Sequence, residues 1–278
     1  MNKYSEKSII LFDLLMFSGR LKELLTLLTA QLDSTDNRAK QVLTIVTPNP
    51  EQVVLTRNSP EFLHALQAAD VRIPDGIGLV YASKMVSICR GMTALPERLP
   101  GKAVVMELLS MALERGLTVL VIGGRALGER TAVADVTPAV QRLKPINGTA
   151  AKHLTSASWY WLEGYQDASN PDRAEETALI TTLQQLRPEL VFVAFGAPQQ
   201  ELWLESHCEE LTECGVRIAM VVGGSFDVLT GKLKQSPRWM EKAGLEWSFR
   251  LWQEPRRWKR QLNLLRFIAL VATTLIKK

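Results

Sequence analysis

The stretch LVFVAFG, Leu190–Gly196, sets six apolar residues in a row before a glycine. A strand with one wet face alternates apolar and polar residues, so an unbroken run reads as a strand buried on both faces. Three other runs have the same character: VLTIV at Val42–Val46, TVLVIGG at Thr118–Gly124 and RIAMVVGG at Arg217–Gly224. Helical patterns separate them, and doubly buried strands alternating with helices imply parallel crossovers. The short RI segment ahead of Pro74 supplies a further strand. The expected fold is α/β: a Rossmann-like, doubly wound, mostly parallel sheet with a basic helical appendage at its C-terminal end.

Ligands of such sheets bind outside the carboxyl ends of the strands, so the informative residues follow each run. In chain order these are TPNPE, IPDG, GGRALG, GAPQQE and GGSFD, and all are expected to face one crevice. Asp75, the one acid in IPDGIGLVYA (Ile73–Ala82), stands at a bend beside apolar chain. Pro74 and Gly76 suit a type I turn, so turn former and general base both fit it. Gly123 and Gly124 of GGRALG, and Gly223 of GGSFD, bring backbone N–H groups to that edge. They suit either a phosphate or ribose, or close packing of helix on strand. The spacing is not GxGxxG and no acid ends a strand about twenty residues on, which counts against a nicotinamide site. In GAPQQELW the adjacent Gln199 and Gln200 fit the start of a helix or hydrogen bonds to sugar hydroxyls.

With 46% hydrophobic and 22% charged residues in 278, the chain has a globular composition and enough length for a large core. Cys89, Cys208 and Cys214 form no CxxC pair and suit a reducing compartment, and His207-Cys208 with Cys214 lacks zinc spacing. The run SIILFDLLMF near the start is broken by Asp13, so a core strand entering a helix is expected there rather than an export signal. Residues 147–172, polar with scattered aromatics, are expected to be loop with one short helix. The uncharged run Phe267–Ile276 is about half of what a helix needs to cross a bilayer.

Charge is unevenly placed. Residues 232–278 hold twelve Lys or Arg against three Glu, a net +9 in a chain whose total is +4, which leaves −5 for residues 1–231. A core at 1–231 and a basic amphipathic unit at 232–278 follow from this change. On a helix Trp258, Leu262, Leu265 and Ala269 share a stripe, with Arg256, Lys259, Arg260 and Arg266 largely off it. An anionic membrane surface, packing on the core and nucleic acid all fit such a tail, in that order of preference. Two Asp never lie two positions apart, so the DxD metal signature of many nucleotide-sugar transferases is missing, and no GxSxG supports a serine hydrolase. No metal or cofactor is expected. Protein cations are then left to meet the charge of a departing diphosphate.

TPNPEQVV, IPDGIGLVYASK, LPERLPG, VIGG, FGAPQQELW, VGGSFDVLTGK and SPRWMEKAGLEWSFRLWQEPRR resemble, in order, the signature segments of the WecG/TagA/CpsF family of bacterial glycosyltransferases, glycosyltransferase family 26. The resemblance implies an inverting, metal-independent transfer of an N-acetylmannosamine-type sugar from a UDP-sugar to a polyprenyl-diphosphate-linked sugar, in synthesis of a cell-surface polysaccharide or teichoic acid. It places the enzyme in the cytoplasm, peripheral on the inner face of the membrane, and makes nucleic acid an unexpected partner. Homo-oligomers stay open. By position it puts the base on Asp75 and substrate contacts on Thr47, Asn49, Arg98 and Gln200. The arginines that meet the diphosphate fall on Arg250, Arg256 and Arg257. The spacer between IPDG and LPER is longer than the family pattern, and Gln199 and QSP stand where the family has Lys and RAP. The alternative from another class is a non-catalytic nucleotide-binding module with a basic tail that docks on membrane or nucleic acid.

Overall fold

A computed structural model describes residues 7–34, 41–124, 131–132, 140–143, 158–223, 236–237, 239–240, 246–253 and 258–276. Its strands are β1 (Ser8–Leu11), β2 (Leu14–Phe17), β3 (Leu43–Val46), β4 (Val71–Arg72), β5 (Thr118–Gly123), β6 (Thr131–Ala132), β7 (Val140–Leu143), β8 (Ser158–Leu162), β9 (Leu190–Ala194) and β10 (Ile218–Val221). The helices are α1 (Leu21–Asp33), α2 (Pro50–Leu55), α3 (Pro60–Ala68), α4 (Ile77–Arg90), α5 (Gly101–Arg115), α6 (Arg173–Leu186), α7 (Gln199–Ser206), α8 (Cys208–Glu213), α9 (Glu246–Gln253) and α10 (Trp258–Ile276).

Eight strands form one sheet in the order β4-β3-β10-β9-β5-β8-β7-β6. The first six are parallel, and β7 and β6 close the far edge antiparallel. All four apolar runs contain strands, and the RI segment overlaps β4 at Arg72. Their doubly buried character has a direct cause in the packing. Leu43 and Ile45, Val119 and Val121, Leu190 and Phe192, and Ile218 and Met220 join one apolar cluster with α1 and α5. Val46, Leu120 and Ile122, Val191 and Val193, and Ala219 and Val221 join a second with residues of α2, α3, α6, α7 and α10. Successive residues of a strand point to opposite faces, so both faces need apolar side chains and no alternation survives in the sequence. The result is a mixed α/β fold with a parallel sheet core and C-terminal helices.

Two expectations are corrected. SIILFDLLMF is not a strand running into a helix but the hairpin of β1 and β2, because Phe12 and Asp13 both take positive φ (54° and 65°), the geometry of a tight two-residue turn. Asp13 is the turn, not a break in a strand. Residues 147–172 are not all loop, since β8 lies inside the sheet between β5 and β7. Trp159 and Trp161 pack into the α1/α5 cluster, and Leu162 into the other. The hairpin is fastened to the sheet by Arg72, a 3% exposed cation. Its Nε donates to the Leu15 carbonyl (2.6 Å), and its Nη1 donates to the carbonyls of Leu66, Gln67 and Ala69 where α3 ends. Burial depresses its pKa, while Asp70 works against that shift. Cations belong at helix C-termini, where carbonyls run out of partners.

The 231/232 boundary lies outside the described residues. What is described of the tail packs on the core: Phe267 and Val271 of α10 are buried in the second cluster, and the Phe267 ring meets Phe12 edge-on with centroids 5.3 Å apart. Leu262, Leu265 and Ala269 of the expected stripe are exposed, so the side that packs on the core is the other one. The helix therefore has apolar side chains on two sides.

Candidate functional site

Because β4, β3, β10, β9 and β5 are adjacent and parallel, the loops after them line up along one edge. Two of these loops are tied together by backbone. Ile73 N donates to Val46 O (2.9 Å) and Asp75 N to Pro48 O (2.8 Å), which carries the pairing of β3 and β4 past the strand ends. Gly76 has φ +131°, and a Cβ there would stand 2.8 Å from Pro50 Cδ, so a glycine is required for IPDG to lie against TPNP. The loop bearing Arg98 is pinned on both sides. Leu99 N donates to Pro74 O (3.1 Å), and Glu97 accepts from Leu21 N at the start of α1 (3.0 Å).

These contacts bring Asp75, Thr47, Arg98 and the first turn of α5 together. Arg98 Nη2 reaches Asp75 Oδ1 at 3.4 Å. Asp75 Oδ2 lies on the Gly101 side, where a Cβ added to Gly101 would be 3.8 Å from that oxygen and 3.2 Å from Thr47 Cγ2. The same Nη2 of Arg98 also contacts Glu246 of α9, whose other oxygen accepts from Lys102 Nζ at 3.1 Å. Burial opposes the charge on Arg98, but the Asp75 and Glu246 carboxylates more than offset it and hold its pKa above the ordinary value. Arg98 Nε is buried with no acceptor among the described residues.

Lys102 and Glu246 were missing from the sequence reading. Lys102 directly follows LPERLPG and Glu246 lies inside the last signature segment, so proximity to those motifs was the available signal. Nothing in the sequence says that the two meet.

The remaining expected residues divide. Asn49 Oδ1 accepts from Gln52 N (3.0 Å) and caps α2. Gln200 is 3% exposed, and its Oε1 accepts from Gly196 N (3.2 Å) and Gly223 N (3.1 Å), bridging the loops after β9 and β10. Its Nε2 donates to Glu201 Oε1 (2.9 Å). Gly123 takes φ +82°, and a Cβ there would stand 2.7 Å from the Phe195 ring, so close packing accounts for it. Gly124 is exposed at the same edge. Arg250 stands one turn along α9 from Glu246, and Arg256 and Arg257 lie outside the described residues.

The two carboxylates, the arginine and the lysine thus stand at the carboxyl edge of a parallel sheet, where ligands of open α/β sheets bind. Residues 12–278 match the glycosyl transferase WecG/TagA/CpsF family, and the chain belongs to it. The chain is 29% identical over 234 residues, 84% of its own length and 79% of the relative's, to an N-acetylglucosaminyldiphosphoundecaprenol N-acetyl-beta-D-mannosaminyltransferase of Bacillus subtilis (strain 168). An enzyme of the same name from Bacillus spizizenii (strain W23) is 28% identical over 247 residues, covering 89% and 85% of the two chains.

Gly76→Ala is expected to destabilise the fold by roughly 2–4 kcal/mol, since backbone strain of about 1–3 kcal/mol adds to the Pro50 clash. Gly91→Ala, also at positive φ but with nothing within 4 Å of its Cβ, is the control and costs less. Urea unfolding of the two variants makes the comparison. Equal losses would show that the IPDG–TPNP contact is not tight.

Proposed function

We propose that this chain transfers an N-acetylmannosamine-type sugar, with inversion, from a UDP-sugar to the sugar of a polyprenyl-diphosphate-linked acceptor, on a Rossmann-like, doubly wound scaffold. The observation that carries the reading is the Asp75 carboxylate at the sheet's carboxyl edge, held through Oδ1 by Arg98 and bordered by Thr47 and the start of α5. Inversion needs the acceptor hydroxyl to attack the anomeric carbon on the face opposite UDP. Asp75 takes the hydroxyl proton as the new C–O bond forms, and the bond from carbon to the diphosphate oxygen breaks with its electron pair on UDP. Arg98 fixes the orientation of the carboxylate, and Glu246 and Lys102 fix Arg98. The charge released on the diphosphate falls to Arg250, Arg256 and Arg257, whose forked donors suit phosphate oxygens. Gln200 supports the site from behind, by holding the two glycine loops.

The same reading puts the enzyme on the inner face of the cytoplasmic membrane. No helix among the described residues is long and apolar enough to cross one, so contact would be peripheral. Two neighbouring helices supply a surface for it. α10 exposes Leu265, Ile268 and Ile276, and α4, which it packs against, exposes Tyr81, Met85 and Ile88, the last at 86%. Arg90 Nη2 joins them by donating to Thr274 O (2.5 Å). Neither helix contains an acid, and together they carry Lys84, Arg90, Lys259, Arg260 and Arg266. Apolar side chains amid cations suit an anionic bilayer surface, at about 1 kcal/mol per cation close to it.

Asp75→Asn is expected to lower turnover at least about 100-fold while leaving donor affinity within a few-fold, and wild-type turnover should persist in EDTA. A UDP-sugar panel with a short-chain lipid-diphosphate acceptor tests both. Near-normal turnover of Asp75→Asn would move the base elsewhere. Loss on chelation with recovery on adding Mg²⁺ or Mn²⁺ would overturn the metal-free mechanism. For the membrane, Ile88→Glu combined with Ile268→Glu should lower sedimentation with anionic liposomes, and added salt should lower that of the wild type. Equal sedimentation with neutral liposomes would remove the electrostatic part of the argument.

A further inference from the structure

Behind the crevice, three side chains from two helices form a buried polar knot with an unbalanced count of donors. Gln52 of α2 donates from Nε2 to Glu201 Oε1 at 2.8 Å, and Gln200 donates from Nε2 to the same oxygen at 2.9 Å. Gln52 and Glu201 are 4% and 1% exposed. Two acceptors are left over: Glu201 Oε2 and Gln52 Oε1 are both buried and have no hydrogen-bond partner among the described residues. An ionised carboxylate offers no proton to either, and a bare buried anion is costly without a cation. One proton on Glu201 Oε2 changes the count. The acid then has a proton to offer Gln52 Oε1 while its Oε1 accepts from Gln52 Nε2, the complement of an acid–amide pair in which each side chain gives one bond and takes one. Turning the Gln52 amide over does not achieve this, since its oxygen would then oppose Glu201 Oε1.

We propose that Glu201 is a neutral carboxylic acid in the folded enzyme on the acid side of neutral pH, and that it is a positioning residue that locks α2 to α7. Through Gln200 the lock reaches the Gly196 and Gly223 amides, and through α2 it reaches Asn49 and the loop that carries Thr47. Both walls of the crevice thus rest on one proton.

The surroundings agree. Burial pushes the Glu201 carboxyl up to about 7, against the pull of the Gln200 amide, its own backbone and the Gln52 amide, and no cation contributes. The titratable groups around it come from every packed element. Glu205 on α7 is paired with His64 of α3 (2.5 Å), and Asp70 ahead of β4 is bound by the Thr44 amide and hydroxyl. Cys208 stands on α8, its thiol pushed up by burial, and Glu51 on α2. A cavity of about 60 Å³ lined by Thr44, Val46, Ala65, Ala69, Glu201 and Cys208 adjoins the acid. A water there, bonded to an ionised Oε2, is the competing arrangement.

The sign of the pH dependence follows from the raised value. The ordinary carboxyl value is 4.5 and the folded one about 7, so this group's contribution to stability is complete below the first and is lost as pH rises through the second. Infrared spectra of the full chain should show a protonated-carboxyl band at about pH 6 that disappears by about pH 9 and is absent from Glu201→Gln. The midpoint of thermal unfolding should fall over the same range in the wild type. In Glu201→Gln, whose amide also gives one bond to Gln52 and takes one, that decline should vanish while the fold survives. Glu201→Ala should lose stability at every pH. A carboxylate band throughout, or the same pH slope in wild type and Glu201→Gln, overturns the proposal and favours the water-bonded anion. The spectra and the melts need no sugar substrate, so their outcome is independent of which donor or acceptor the enzyme takes.

Discussion

Arg98 is the charge on which the site depends. Its guanidinium lies between a carboxylate from the core, Asp75, and one from the C-terminal helices, Glu246, and Lys102 braces the second. A cation buried to this degree is costly unless paired, and a carboxylate left beside it after loss of its partner is costlier still. The cluster therefore holds as a set. Its consequence is architectural as well as chemical, because the residue that orients the proposed base gains its second carboxylate only when α9 is in place.

The rest of the fold serves to bring these groups to one edge. Parallel pairing puts five loops side by side, the zipped backbone of β3 and β4 delivers Asp75 against Thr47, and the requirement for glycine at position 76 keeps the two loops in contact. On the other wall, Gln200 does the equivalent work with side-chain bonds, tying Gly196 to Gly223. Such rigidity matters at the proposed base, since a base displaced by about 1 Å loses much of its advantage.

Much of this was legible in the sequence, and the failures have physical causes. The four central strands stood out because burial on both faces removes polar residues from them. Asp75 was legible as a short motif at a strand end, and Arg98 only through the family resemblance of LPERLPG. β8 was hidden because its five residues sit in a polar stretch, although the alternation of Trp159 and Trp161 with Ser158 and Tyr160 was the mark of a strand. The hairpin was hidden because Asp13 reads as an interruption unless a two-residue turn is considered. Gln200 read equally as a helix start or a sugar contact, and that its amide ties Gly196 to Gly223 was hidden because those glycines belong to separate loops. Glu246 and Lys102 meet across 144 residues of chain, a pairing that no local pattern encodes. The stripe on α10 was correctly seen as apolar, but the opposite side, with Phe267 and Val271, is the one that packs.

The central claim is that core and C-terminal helices share one cation that positions the base. A double-mutant cycle with Arg98→Met and Glu246→Gln, read as kcat/KM for sugar transfer from a UDP-linked donor, tests it directly. The account predicts a coupling on the order of 1–3 kcal/mol, with the double variant little worse than Arg98→Met alone. Losses that simply add would contradict it, for they would mean that Glu246 and Arg98 act on the reaction independently.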